Sequence, residues 1–273
     1  MNEGAASSSE AAVLRLAIRY DEDARAYRDV WGPMLLPAGR RLLQEFAGLS
    51  VQSALDLGAG VGALTRELAQ AFPQATVLGC DRSPGMIALG SGETSLAVMD
   101  ARRLGLASCS LDLVVSTFML FILERPADAL DEVHRVLRRE GRFGTSTWKS
   151  NLESPAIEAW NEALDEVAPA EAPSRTSSHD EQTDTPEKVA ELLRAAGFAS
   201  IRAWSEDLIH EIGPEDLVAL RTGMGASRRR LARLEPEERM SFLLRVRRRF
   251  DVLGPGAFTA RGKVVYATAR RGR

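Results

Sequence analysis

Residues 53–67 read SALDLGAGVGALTRE, and the succession of residue types in this stretch decides the fold. Ala54, Leu55 and Leu57 make a short apolar run that stops at a glycine-spaced turn, Gly58-Ala59-Gly60-Val61-Gly62. Leu64, Leu68 and Phe72 then recur at the four-residue spacing of one helix face. Strand, glycine turn and helix in this order predict a βα unit. Its turn admits a ligand close to the main chain, because glycine places no Cβ in the way. Turns of this kind at a helix N-terminus commonly bind phosphate or dinucleotide. Here the spacing is GxGxG and not GxGxxG, and Asp56 stands two residues before the first glycine. A carboxylate at that point repels a pyrophosphate but suits a ligand carrying an ammonium and a sulfonium.

Outward from this turn, strands and helices are expected to alternate. Strands are expected at 53–57, 76–80, 95–99, 111–116 and 142–147, with helices at 61–72, after the Ser83-Pro84 pair, and at 126–139. The run at 111–116 is apolar except for Asp112, as a central parallel strand should be. This alternation predicts a doubly wound α/β sheet. Upstream, the first ten residues are expected to be disordered, a helix follows over 11–31 with Tyr20, Tyr27 and Trp31 as its aromatics, and Gly32-Pro33 separates it from a second helix at 34–46. After Trp148 the expected order is a helix at 154–168, a polar loop at 169–185, a helix capped by Thr185 and closed by Gly197, and a strand at 201–212. Helices at 214–223 and 236–250 and a strand at 263–269 complete it.

Three more strand ends supply groups for the same ligand. Gly79-Cys80-Asp81 puts a carboxylate beside the glycine turn, where it can accept from two ribose hydroxyls. Met99-Asp100-Ala101 offers an acceptor to an adenine amino group, and Ser116-Thr117-Phe118 a carbonyl to an ammonium. Residues 53–67, the Asp81-Arg82-Ser83-Pro84-Gly85-Met86 segment, YDEDARAYRDVW, LDLVVSTFMLFIL and ALDEVHRVLRREGRF together resemble the class I S-adenosylmethionine-dependent methyltransferases. Within that class the group resembled is the small-molecule one, with its quinone-biosynthesis and natural-product tailoring enzymes. The resemblance is strong from Tyr20 to Trp148 and is one of layout beyond it. It implies a Rossmann-like seven-stranded sheet in the order 3-2-1-4-5-7-6, with the last strand antiparallel. It further implies a helical lid at 1–48, helical insertions near 150–185 and 213–255, Met86 packed on an adenine face, and Tyr20 over the cofactor's methionine end. Arg82 and Ala101 fall within its cofactor-binding segments.

The expected reaction is in-line transfer of a methyl group to a small-molecule acceptor, which asks for positioning and exclusion of water more than for a reactive side chain. Trp148, Trp160 and Phe118 are candidates for the acceptor pocket. His210 and His179 are the candidate general bases, and His134 reads as structural. No metal is expected. The rivals are a methyltransferase fold that cyclises or senses without methylating, an RNA methyltransferase, and a nicotinamide dehydrogenase. Residues 221–250 carry a local charge of +7, read here as a solvated helix face or subunit contact with Met240, Leu243, Leu244 and Phe250 as its apolar stripe; a grip on an anionic small substrate is the alternative, ahead of nucleic acid.

The bulk properties agree with an ordinary globular chain: 45% hydrophobic, 27% charged, net charge −3. Two cysteines give no disulfide framework, and the N-terminus has neither basic region nor apolar core. A cytoplasmic bacterial protein, monomeric or homodimeric and without membrane contact, is therefore expected.

Overall fold

The computed structural model describes residues 3–90, 92, 94–170 and 180–272. Seven strands form one sheet: β1 Ser53–Leu57, β2 Thr76–Asp81, β3 Leu96–Val98, β4 Leu111–Thr117, β5 Leu137–Glu153, β6 Phe198–Glu211 and β7 Thr259–Arg271. Their order is β3-β2-β1-β4-β5-β7-β6. The first five are parallel, with Leu55 beside Leu78 on one side and Val114 on the other. β7 runs antiparallel between β5 and β6. Alternate residues of the central strands feed the two faces: Ala54, Leu113 and Val115 enter one core, Leu55, Leu57 and Val114 the other. Burial on both faces is why these strands read as nearly unbroken apolar runs.

Helices α3 Ala63–Ala71, α4 Pro84–Gly90, α5 Pro126–Val136, α6 Pro155–Val167 and α7 Pro186–Ala195 stand close to their expected places. Thr185 caps α7 by accepting from the Lys188 N–H at 3.3 Å. β5 departs from expectation. The crossover helix stops at Val136, and the strand continues to Glu153 through the polar residues after Trp148. Pairing with β7 carries it that far, with register shifts after Trp148 and after Ser150.

The N-terminus departs as well. Helix α1 runs Glu3–Ala26, so it begins within the ten residues where disorder was expected. Gly32-Pro33 does not separate two helices either. A π turn at Tyr27–Trp31 leads into α2, Gly32–Leu43, with Pro33 in its first turn, where a missing N–H costs no hydrogen bond. Asp21 docks α1 onto α4, accepting from the Gly85 N–H at 2.8 Å and from the Ser83 hydroxyl.

Beyond β6 the chain forms α8 Pro214–Gly223, α9 Gly225–Leu231 and α10 Pro236–Asp251; α9 was not expected. On α10 the buried face is Phe242, Val246 and Phe250, with Leu243 packed partly buried beside it, while Met240 and Leu244 of the expected stripe are exposed. Three of its five arginines are engaged within the molecule: Arg245 and Arg249 pair with Glu166, and Arg247 with Glu215. Among the described residues, no helix is long and apolar enough to cross a membrane.

Candidate functional site

All three glycines of the first turn have positive φ: Gly58 at 78°, Gly60 at 54° and Gly62 at 75°. This is backbone that side chains rarely adopt, and it opens space. A Cβ on Gly58 would stand 2.6 Å from Met119 Cγ, and one on Gly60 3.2 Å from Tyr27 Cε1. Above this turn, at the carboxyl ends of β1, β2 and β4, lies a cavity of about 280 Å³. Ligands of open α/β sheets bind in this crevice.

Asp81 is the fixed point of the cavity. One carboxylate oxygen accepts from the Gly60 N–H at 2.9 Å and the other from the Ser83 N–H at 2.8 Å. Burial, opposed by these hydrogen bonds, still leaves its pKa raised. Asp100 on the far wall is gripped by Arg82 and by Arg102 at 2.8 Å, and its pKa lies below the usual carboxylate range. Met86, 1% exposed, forms the floor between them. The opposite wall is aromatic. Tyr20 from α1 and Tyr27 and Trp31 from the π turn face Phe118 and Trp148, whose ring centroids lie 4.6 Å apart. Burial first, and then the Asp81 charge among others, push both tyrosine hydroxyls upward. The aromatic faces of this wall suit a cation.

Most residues expected at the site converge on this cavity: Tyr20, Gly58, Gly60, Asp81, Arg82, Met86, Asp100, Ala101, Phe118 and Trp148 all line it. Gly62 acts one step away, as the left-handed N-cap of α3. Asp56 differs from expectation. Its carboxyl turns to the Thr65 hydroxyl at 2.7 Å and, with Ala59, lines a smaller recess behind the turn. Ser116 is fully buried with an unpartnered hydroxyl, and its neighbour Thr117 reaches the cavity instead.

Two acceptor-side expectations, Trp160 and His210, do not meet the cavity. Trp160 is a core residue, completely buried, donating from Nε1 to Ser227 Oγ at 3.0 Å and packed edge-on against Phe242. His210 lies on β6 opposite Ala260, away from this cavity. His179 lies outside the described residues. His134 packs edge-on against Phe198, as a structural residue does. The sequence reading missed Tyr27, Trp31 and Asn151 as wall residues. The first two were visible as aromatics in a charged helix, but only the π turn brings them over the glycines.

With this geometry in place, comparison with known proteins is informative. A family model described as a methyltransferase domain matches residues 55–145. Malonyl-[acyl-carrier protein] O-methyltransferase of Methylococcus capsulatus is 34% identical over 192 residues, 68% of this chain and 64% of that protein. Trans-aconitate 2-methyltransferase of Streptomyces avermitilis is 30% identical over 172 residues, 60% of this chain and 63% of that protein. The match thus spans less than two thirds of the length of these relatives. In fold, the chain resembles YcgJ of Bacillus subtilis, with a TM-score of 0.54, 18% identity and coverage of 87% of this chain and 99% of that one. It also resembles phosphoethanolamine N-methyltransferase 2 of Haemonchus contortus in complex with S-adenosylhomocysteine, with a TM-score of 0.55, 17% identity and coverage of 93% and 58%.

Proposed function

We propose that the chain is a class I methyltransferase that transfers a methyl group from S-adenosylmethionine to a small-molecule acceptor. The observation that carries this reading is Asp81. Two backbone N–H groups fix its carboxylate at the mouth of β2, facing a cavity whose glycine side has no room for a Cβ. The residues present fit the cofactor. Asp81 would accept from both ribose hydroxyls, Asp100 from the adenine amino group, and Met86 would lie against the ring. Tyr20, Tyr27 and the aromatic pair Phe118–Trp148 would surround the cationic end. When bound, the cofactor supplies a methyl group made electrophilic by its sulfonium.

The work left to the protein is alignment and exclusion of water. α1 and the π turn roof the cavity, and Asp21 ties that roof to α4. Positioning of this kind lowers a barrier by roughly 7–11 kcal/mol in favourable cases. The proposed reaction proceeds by approximation. The O-methyltransferase names of several relatives support an oxygen acceptor.

Calorimetric titration with S-adenosylhomocysteine tests the reading. The wild type should bind, while Asp81→Ala and Gly60→Val should each weaken binding by about a hundredfold or more. Wild-type affinity in both variants would refute the site. Mass analysis of products should then find one added methyl and S-adenosylhomocysteine.

A further inference from the structure

A second cavity, of about 450 Å³, adjoins the first and shares Trp31, Trp148 and Asn151 with it. The rest of its wall comes mostly from the chain after Trp148. Met34, Ile157, Ile212, Leu217 and Met224 make it largely apolar, and Arg221 of α8 faces it. Arg221 differs from Arg228 and Arg230, which both form ion pairs. Arg228 pairs with Asp23 and Arg230 with Asp165, at 3.0 Å and 2.5 Å. The Nε of Arg221 is buried without a hydrogen-bond partner, and among the described residues no carboxylate pairs with its guanidinium. Burial alone draws its pKa down, with no acid opposing. The only acid on the wall, Glu153, is exposed at the rim.

The buried Nε of Arg221 is a charged donor without an acceptor beside a largely apolar cavity, and a carboxylate in that cavity would supply one. We propose that Arg221 is the anchor for an anionic acceptor: an organic monocarboxylate whose apolar body fills the second cavity and whose reactive end reaches the wall at Trp148. This rests on the methyl-transfer reading. One uncompensated positive charge matches one negative charge, whereas a phosphate dianion would leave a net charge in apolar surroundings. Arg221 lines only the second cavity, so the carboxylate it holds is an anchor, and the atom that receives the methyl lies at the wall the cavities share.

The probes are 2-naphthoate and its neutral counterpart 2-naphthamide, titrated calorimetrically into the full chain saturated with S-adenosylhomocysteine. The wild type should bind the acid at least about tenfold more tightly than the amide. Arg221→Met should remove that preference while leaving amide binding and S-adenosylhomocysteine affinity unchanged, and Arg221→Lys should restore part of it. Equal affinities in the wild type, no binding of the acid at millimolar concentration, or a preference that survives in Arg221→Met each overturns the proposal. The same titrations in the absence of S-adenosylhomocysteine separate the two readings. An acid preference that depends on Arg221 in a chain that binds no S-adenosylhomocysteine would uphold the anchor and sink the methyl-transfer reading.

Discussion

Asp56 ties the stability of the protein to pH in a way that can be measured without any ligand. Its carboxyl is 1% exposed and accepts a single side-chain hydrogen bond, from Thr65. Burial, reinforced by the nearby Asp81 charge, raises its pKa from 3.8 to about 7. Between those values the native state holds a proton that the unfolded chain has released. The stability contributed is therefore fully present below about pH 4 and is lost as pH rises through about 7. The gap bounds the loss at about 4 kcal/mol, and the raised pKa of Asp81 acts in the same direction. Asp56→Asn keeps an acceptor for Thr65 and removes the titration. Urea unfolding of both proteins at about pH 4, 6 and 8 is the assay. The variant should match the wild type at the acid end and exceed it by about 2–4 kcal/mol at the alkaline end. Parallel stability curves would show that Asp56 ionises in the native state as freely as in the unfolded chain, and the argument would fail.

Gly58→Ala forces a Cβ into left-handed backbone 2.6 Å from Met119; a loss of about 1–3 kcal/mol is expected, and an unchanged urea midpoint would contradict the strained turn. Trp160→Phe gives up the indole bond to Ser227 inside the core and should cost about 1–3 kcal/mol without altering S-adenosylhomocysteine affinity. A tenfold loss of that affinity would return Trp160 to the pocket. Asp23→Ala strips the Gly225 N–H of its acceptor at 2.9 Å and Arg228 of an ion pair at 3.0 Å. It should destabilise by about 2–4 kcal/mol and increase proteolysis of the α8–α9 segment; wild-type resistance would disprove the tether.

What could be read from the sequence follows from where the information is local. β1, its turn and α3 are encoded by neighbours: apolar alternation, glycines where φ is positive, and a helix face at four-residue spacing. Asp81 and Asp100 were legible because a strand end in a parallel sheet points at one edge. Trp160 misled because an indole that lines a pocket and one that fills a core have the same sequence signature, and only Ser227, 67 residues away, decides between them. β5 was cut short for the same reason. Residues 148–153 are too polar to look like strand, and their partner is β7, more than a hundred residues on. Gly32-Pro33 looked like a break because composition does not reveal a π turn, which absorbs the change within a continuous helix.

That π turn also links the two cavities. Tyr27 and Trp31 project from it, one over Gly60 and the other into both cavities. The helix before it is fastened at two points. Asp21 holds α4, beside Asp81, while Asp23 receives the Gly225 N–H from the segment that carries Arg221 and Met224. A Cβ on Gly223 would stand 2.6 Å from that of Ala26, so α8 meets the helix with no space between them. A close-packed contact of this kind transmits displacement instead of absorbing it. The wall of the first cavity and that of the second thus share the π turn and the helix before it. Trp148, at the seam, is where the part of the chain with a familiar pattern gives way to the part that distinguishes this protein.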